Sequence, residues 1–270
     1  LGGNAAAKQA RAAGYSVTSD VQLIDSIIET CNADWLSSGR SRENEQTSRR
    51  RPIFIVGLPR TGTTLTERIV SSHSQVESAD ETFFLRIAIK LVAGVAANSP
   101  MEPLVIQRAA RKESAEIART YLDAVEYRLT DRPYFIDKYP ENYLYLGFIA
   151  RAFPDSRIIH LRRNPMDACF AMYKQSYFRQ AYTLQDLGDY YLAYDRLSRH
   201  WLGLLGDRLI ELDYESLVTE PEARTRALLD RLGLDFEEAC LEFHRNTRPS
   251  ATASNVQVRE QVHTRSVDRW

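Results

Sequence analysis

The stretch from Ile53 to Thr64, IFIVGLPRTGTT, constrains this chain more than any other. Ile53 to Gly57 is apolar, largely β-branched and closed by Gly, as suits a strand buried on both faces. Gly62 to Ser72 then reads as a helix with Leu65, Ile69 and Val70 inward. A strand that passes through a Gly-containing loop into a helix makes an anion site. Backbone N–H groups converge at the helix N-terminus, and the macrodipole favours negative charge there. Gly57 and Gly62 keep the spacing of the phosphate loop GxxxxGK[ST], and Thr64 fills its Ser/Thr place, but Thr63 stands where the Lys belongs. Positive charge comes instead from Arg60, inside the loop. The missing Lys would serve the β- and γ-phosphates of a nucleoside triphosphate. Its replacement argues against triphosphate hydrolysis and suits a smaller phosphate carrying one mixed anhydride.

The rest of the chain sets this loop in an α/β frame. Strands are expected at Tyr134–Asp137, Arg157–Leu161 and Arg208–Leu212, with helices at about 103–129, 142–152, 165–180, 185–204 and 221–233. That alternation predicts a P-loop-like fold of three layers: a central parallel sheet of four or five strands with helices on both faces. Residues 1–51 read as a helical N-terminal extension and linker. Asp20 is placed to cap a helix bearing Val21, Leu23, Ile24, Ile27 and Ile28. The basic run Arg49, Arg50, Arg51 reads as a solvated lead-in to the first strand.

Charge and cysteine usage exclude several classes of function. With 35 Lys+Arg against 36 Asp+Glu, the chain is neither a general nucleic-acid coat nor a polybasic membrane binder. Cys31, Cys169 and Cys240 are widely spaced and form no CxxC, so no disulfide framework is expected and a cytoplasmic, reducing location is the default. Leu85 to Ala97 is apolar-rich but is broken by Arg86 and Lys90 and is too short to span a bilayer. Leu1 to Ala13 does not read as a signal peptide. The five His are scattered, and no metal site is expected.

FIVGLPRTGTTL resembles the 5′-phosphosulfate loop of sulfotransferases that use 3′-phosphoadenosine 5′-phosphosulfate (PAPS). It is nearest the tyrosylprotein type and its bacterial relatives, which carry GxPRSGTTL or GxPRTGTTL. The resemblance implies that Arg60, Thr61, Gly62, Thr63 and Thr64 cradle the 5′-phosphate and sulfuryl end of the donor. It covers roughly residues 52–270, a sulfotransferase domain.

Four further segments carry it. In SSHSQVESADETFFL, ungapped alignment puts Glu81 at the Glu proposed as catalytic base in the tyrosylprotein type, with Thr82 matching, Ser74 replacing a Pro and Asp80 replacing a Glu. The chemistry asks for such a group, because an acceptor hydroxyl must lose its proton as the sulfuryl arrives. His73 reads as a helix-end residue; the catalytic His of cytosolic sulfotransferases lies elsewhere. Lys138, in IDKYPEN, follows an apolar strand, at the end where open parallel sheets bind ligands. By resemblance it neutralises charge on the oxygen bridging sulfur and phosphorus.

RIIHLRRNPMDACFAMYKQSY resembles the 3′-phosphate motif through Arg163, Asn164, Pro165 and Asp167, but Ala171 stands where the family has Ser. Tyr214 corresponds to a family Tyr near the adenine; a Tyr at a strand's carboxyl end either stacks on a base or belongs to the core. In the tail, Ser254 fits a family Ser that reaches the 3′-phosphate, and Gln257 and Trp270 keep the family's spacing. Glu260 replaces a family Lys, a charge that Arg259 or Arg265 would have to supply.

The resemblance implies sulfuryl transfer from PAPS to a hydroxyl or amine of a small-molecule or peptide acceptor, with release of 3′,5′-ADP and no metal. No nucleic-acid or membrane partner is expected. Two alternatives stand beside it. One is a nucleotide or small-molecule kinase with a degenerate P-loop, which Thr63 opposes. The other is a non-catalytic binding protein of the same fold, which Ala171 and Glu260 favour and the set Arg60, Glu81, Lys138 opposes. The acceptor pocket is expected from residues 82–130 and 175–200. The aromatic stripe of the latter, including Tyr190 and Tyr194, reads as core or interface.

Overall fold

Five short segments form one parallel sheet in the computed structural model, which describes residues 15–38, 50–99, 101–175, 177–245 and 263–268. They are β1 (Arg51–Gly57), β2 (Val76–Ser78), β3 (Tyr134–Lys138), β4 (Arg157–Arg162) and β5 (Leu209–Asp213), in the order β2-β3-β1-β4-β5. Every pairing is parallel. The loop-bearing strand β1 is central, between β3 and β4. Along β1 the side chains alternate between two cores. Phe54 and Val56 pack with Phe135 and Ile158 on one face, and Ile53 and Ile55 pack with Ile136 and Ile159 on the other. Burial on both faces is why β1 reads as an unbroken apolar run rather than as an alternation.

Helices cover both faces, as the α/β alternation predicts. One core takes Ile69 and Val70 of the helix Thr63–Ser71 and Leu228, Leu229 and Leu232 of the helix Pro221–Leu232. The other takes the helices Phe84–Ala93, Pro103–Ala109, Ser114–Val125 and Leu184–Leu205. The helix Val17–Thr30 joins that second core through Leu23, Ile24 and Ile27. Tyr190 and Tyr194 are core residues: the Tyr190 hydroxyl lies 2.6 Å from that of Tyr143, and the Tyr194 hydroxyl 2.8 Å from Nε2 of His160.

Several boundaries differ from the sequence expectation for physical reasons. Ser16, not Asp20, is the N-cap residue of the first helix; Asp20 sits in its first turn and accepts the Tyr15 hydroxyl at 2.8 Å. The expected helix at 103–129 is two helices and a 3₁₀ turn, broken near Arg111–Glu113. The expected helix at 165–180 stops at Tyr173, and Arg179–Ala181 is a separate 3₁₀ turn. Residues after β5 form the helix Tyr214–Thr219, capped by Asp213, whose carboxylate accepts the Ser216 N–H at 2.8 Å.

Candidate active site

β1 ends at Gly57 with φ of 148°, where a Cβ would lie 2.6 Å from the Leu161 carbonyl oxygen of β4. Only glycine lets the chain turn out of the sheet here. The loop is pinned by the Thr61 hydroxyl, which donates to the Leu58 carbonyl at 2.6 Å. Arg60 takes a positive φ of 70°. Gly62 has φ of 99°, and a Cβ there would meet Cδ2 of Tyr214 at 2.5 Å. Gly62 is also the N-cap of the helix Thr63–Ser71 and offers no side-chain cap.

Lys138, the last residue of β3, pairs in register with Ile55, two residues before the loop. Its ammonium is buried, with the side chain 1% exposed, and lies 2.5 Å from Glu81 Oε2 and 3.8 Å from Glu67 Oε2. Glu81 comes from the connection after β2, where Asp80 takes a positive φ of 64°. The connection is tied to β3 by Asp137, whose carboxylate accepts the Thr82 hydroxyl at 3.4 Å, the Tyr121 hydroxyl at 2.8 Å and the Asn142 amide at 3.2 Å. Complete burial pushes the Asp137 carboxyl up to about 7, against the lowering effect of those hydroxyl bonds.

A cavity of about 180 Å³ opens here. Its walls are the loop (Pro59, Arg60, Thr63, Thr64), Glu81 and Lys138, then Tyr139, Pro140 and Glu141, and Tyr177 and Phe178. The Tyr139 hydroxyl donates to Glu141 at 2.8 Å and accepts from Arg86 at 3.0 Å. Burial and the neighbouring Glu141 push that phenol up, so it stays neutral at working pH. His73 does not line the cavity. It is buried, with Nε2 2.9 Å from the Asp235 carbonyl oxygen and Nδ1 accepting the Gln75 N–H at 3.1 Å. The second bond makes Nε2 the protonated nitrogen, so His73 acts as a helix-end brace.

Thr61 and Gly62, in the loop, are not on the cavity wall, and the other described sequence-named residues fall into two groups. Arg60, Thr63, Thr64, Glu81 and Lys138 share the cavity. Arg163 and Tyr214 form a second cluster behind the loop. Arg163 Nη1 donates to the Arg60 carbonyl at 2.7 Å, Nη2 donates to the Ser266 carbonyl, and the guanidinium lies 4.7 Å from the Tyr214 ring centroid. The Tyr214 ring is buried against Gly62 and under Arg163. Asp167 Oδ2 accepts the Asp268 N–H at 2.8 Å, so the segment 263–268 lies over this cluster. Ser254, Gln257, Arg259, Glu260 and Trp270 lie outside the described residues.

Sequence reasoning passed over Glu67, Asp137 and Glu141. Glu67 carried a signal: it is a carboxylate four residues after Thr63 in a short helix whose neighbours are buried. Among the described residues no group of His, Cys, Asp and Glu could hold a metal ion, and no helix is long and apolar enough to cross a membrane.

Residues 52–238 match the family model described as the sulfotransferase family. An uncharacterized protein of Aquifex aeolicus (strain VF5) is 35% identical over 231 residues, which is 82% of this chain but 30% of that protein's length. Protein-tyrosine sulfotransferase 1 of Danio rerio is 24% identical over 201 residues, 70% of this chain and 55% of its own length. The fold is shared with the sulfotransferase domain of the Synechococcus PCC 7002 olefin synthase, at a TM-score of 0.54 and 22% identity over 82% of this chain and 87% of that one. A sulfotransferase domain from the curacin biosynthetic pathway superposes with a TM-score of 0.52, at 19% identity over 79% of this chain and 84% of that one.

Proposed function

Because this chain belongs to the sulfotransferase family, we propose that it moves the sulfuryl group of PAPS to a hydroxyl or amine and releases 3′,5′-ADP. The observation that carries this reading is the meeting of a carboxylate and an ammonium, Glu81 and Lys138, 2.5 Å apart in the cavity that Arg60, Thr63 and Thr64 also line. Acid–base chemistry is thereby set beside an anion-binding helix start. The donor's 5′-phosphate sits at that helix start, with Thr61, Gly62, Thr63 and Thr64 around it. Glu81 takes the acceptor proton while the acceptor oxygen or nitrogen bonds to sulfur. The bond from sulfur to the bridging oxygen breaks, and its electron pair stays on the 5′-phosphate of 3′,5′-ADP. Lys138 and Arg60 oppose the charge that grows on the bridging and sulfuryl oxygens. Holding donor and acceptor in line supplies much of the remaining acceleration. No step calls for a metal.

The acceptor enters past Tyr139, Tyr177 and Phe178, which suits a small aromatic molecule or the side chain of a peptide. The name of the Danio relative makes tyrosine peptides one class to test. Nucleic acid is not among the proposed partners. Cys31, Cys169 and Cys240 are free thiols, which suits a reducing compartment such as the cytoplasm.

Thermal melting with 3′,5′-ADP, ATP and ATP plus magnesium tests the donor. A rise with 3′,5′-ADP alone, needing no metal, supports sulfuryl transfer; a rise confined to ATP plus magnesium points to a kinase. Arg163→Ala is expected to weaken 3′,5′-ADP binding by about 1.5–3 kcal/mol, the weight of a charge-assisted contact, as read by calorimetric titration. Unchanged affinity removes Arg163 from the donor site. Ala171→Ser is expected to tighten 3′,5′-ADP by up to about 1 kcal/mol, through a hydrogen bond to the 3′-phosphate. It should do little for adenosine 5′-phosphosulfate, which lacks that phosphate. Equal gains for both ligands would show that position 171 does not face the 3′-phosphate.

A further inference from the structure

Lys138 has a second carboxylate, and it lies outside the cavity. Glu67 is 3% exposed on the helix Thr63–Ser71 and is absent from the cavity wall. Its Oε1 accepts the Ser78 hydroxyl at 2.6 Å. Its Oε2 is buried without a hydrogen-bond partner and lies 3.8 Å from the Lys138 ammonium. An ionised oxygen buried in this way is costly unless a counter-charge is near, and Lys138 is that charge. Burial pushes the Glu67 carboxyl up, while Lys138 and the Ser78 hydroxyl pull it down.

The pairing of Lys138 with Glu81 cannot persist through the proposed reaction. Glu81 must turn to the acceptor proton, and the ammonium must turn to the bridging oxygen. The charges around Lys138 come from several elements. Asp137 neighbours it on the same strand. Glu81, Glu141 and Arg60 line the cavity beside it. Asp80 and Arg68 act on Glu67 itself. Of the carboxylates paired with Lys138, Glu81 is partly exposed and open to donor and acceptor, whereas Glu67 is sealed away from both. Glu67 therefore keeps its place at every stage.

We propose that Glu67 is a positioning residue: it holds the Lys138 ammonium in place once Glu81 has turned to the acceptor. This role rests on the sulfuryl-transfer reading. The coupling of Glu67 to Lys138 does not, and can be measured without turnover.

Glu67→Gln keeps the shape of the side chain and an acceptor for Ser78. Its kcat for 3′,5′-ADP release from PAPS is expected to fall about tenfold, because the Lys138 ammonium is then less well held on the bridging oxygen. The KM for PAPS should change less than about threefold. A raised KM with kcat unchanged, or no change in either, would show a merely structural role and overturn the proposal. The second measurement is an NMR titration of 13C-labelled glutamate carboxyls in the parent protein and in Lys138→Met, with the Glu67 signal assigned by its loss in Glu67→Gln. Removing the ammonium is expected to raise the Glu67 midpoint by about 1 pH unit. An unmoved midpoint would overturn the coupling, whether or not the protein transfers sulfuryl groups. A raised midpoint in a protein that transfers none would sink the sulfuryl-transfer reading and leave the pair intact.

Discussion

Glu81→Gln is expected to lower turnover by about 10²–10⁴-fold, the usual weight of a general base. The amide keeps the size of the side chain but cannot take a proton from the acceptor. Binding of 3′,5′-ADP should barely change, because the proposed role of Glu81 faces the acceptor and its side chain is partly exposed. Glu81→Asp shortens the reach by one methylene and should fall between the two. The assay is single-turnover sulfuryl transfer to whichever phenol, sugar, amine or tyrosine peptide proves to be an acceptor. His73→Asn is the control. With both ring nitrogens engaged by Asp235 and Gln75, its loss should affect melting more than chemistry. Full turnover in Glu81→Gln would remove the assignment, and an equal loss in His73→Asn would move the base there.

Lys138→Met carries the second large effect, on chemistry and on stability together. Removing a preorganised positive group from a developing oxyanion costs about 10²–10³ in kcat. The substitution also leaves Glu67 without its counter-charge. Breaking a buried ion pair by removing one partner costs about 3–5 kcal/mol, an upper figure here, since the buried carboxyl can take up a proton instead. The sign with pH follows from that proton. The Glu67 carboxyl is already raised by burial, and losing Lys138 raises it further. Between the ordinary carboxylate range and its raised value, the folded chain holds a proton that the unfolded chain releases. The stability deficit of Lys138→Met is therefore expected to be small at pH 5 and to grow towards pH 8. A deficit that does not vary with pH would show that Glu67 and Lys138 are not coupled.

What the sequence discloses follows from the range over which each signal acts. β1 is legible because five consecutive residues buried on two faces leave a local apolar run. β2 is not, since three residues containing Glu77 and Ser78 carry no such pattern. It exists because β3 supplies a ladder and because the Glu77 carboxylate accepts the Thr130 N–H from across the edge. The helix Phe84–Ala93 hides inside a segment read only as apolar, although Leu85, Ala88, Ile89 and Val92 fall on one helical face. At the site, resemblance names Glu81 and Lys138 separately, but they stand 57 positions apart in the chain. Their contact depends on β2 lying beside β3 and on Asp137 tying the Glu81 connection to β3. Glu67, on the helix that follows β1, needs β3 to lie beside β1 before it means anything. On its own it is one more charge in a helix.

The central claim is that this cavity transfers a sulfuryl group from PAPS. The most direct measurement incubates the protein with 35S-labelled PAPS and a panel of phenols, sugars, amines and tyrosine peptides, without metal. Mass spectrometry then follows the acceptors while 3′,5′-ADP is quantified. One SO3 gained by an acceptor for each 3′,5′-ADP released, lost in Glu81→Gln, is the predicted result. No labelled product from any acceptor, together with phosphate transfer from ATP plus magnesium, would contradict it.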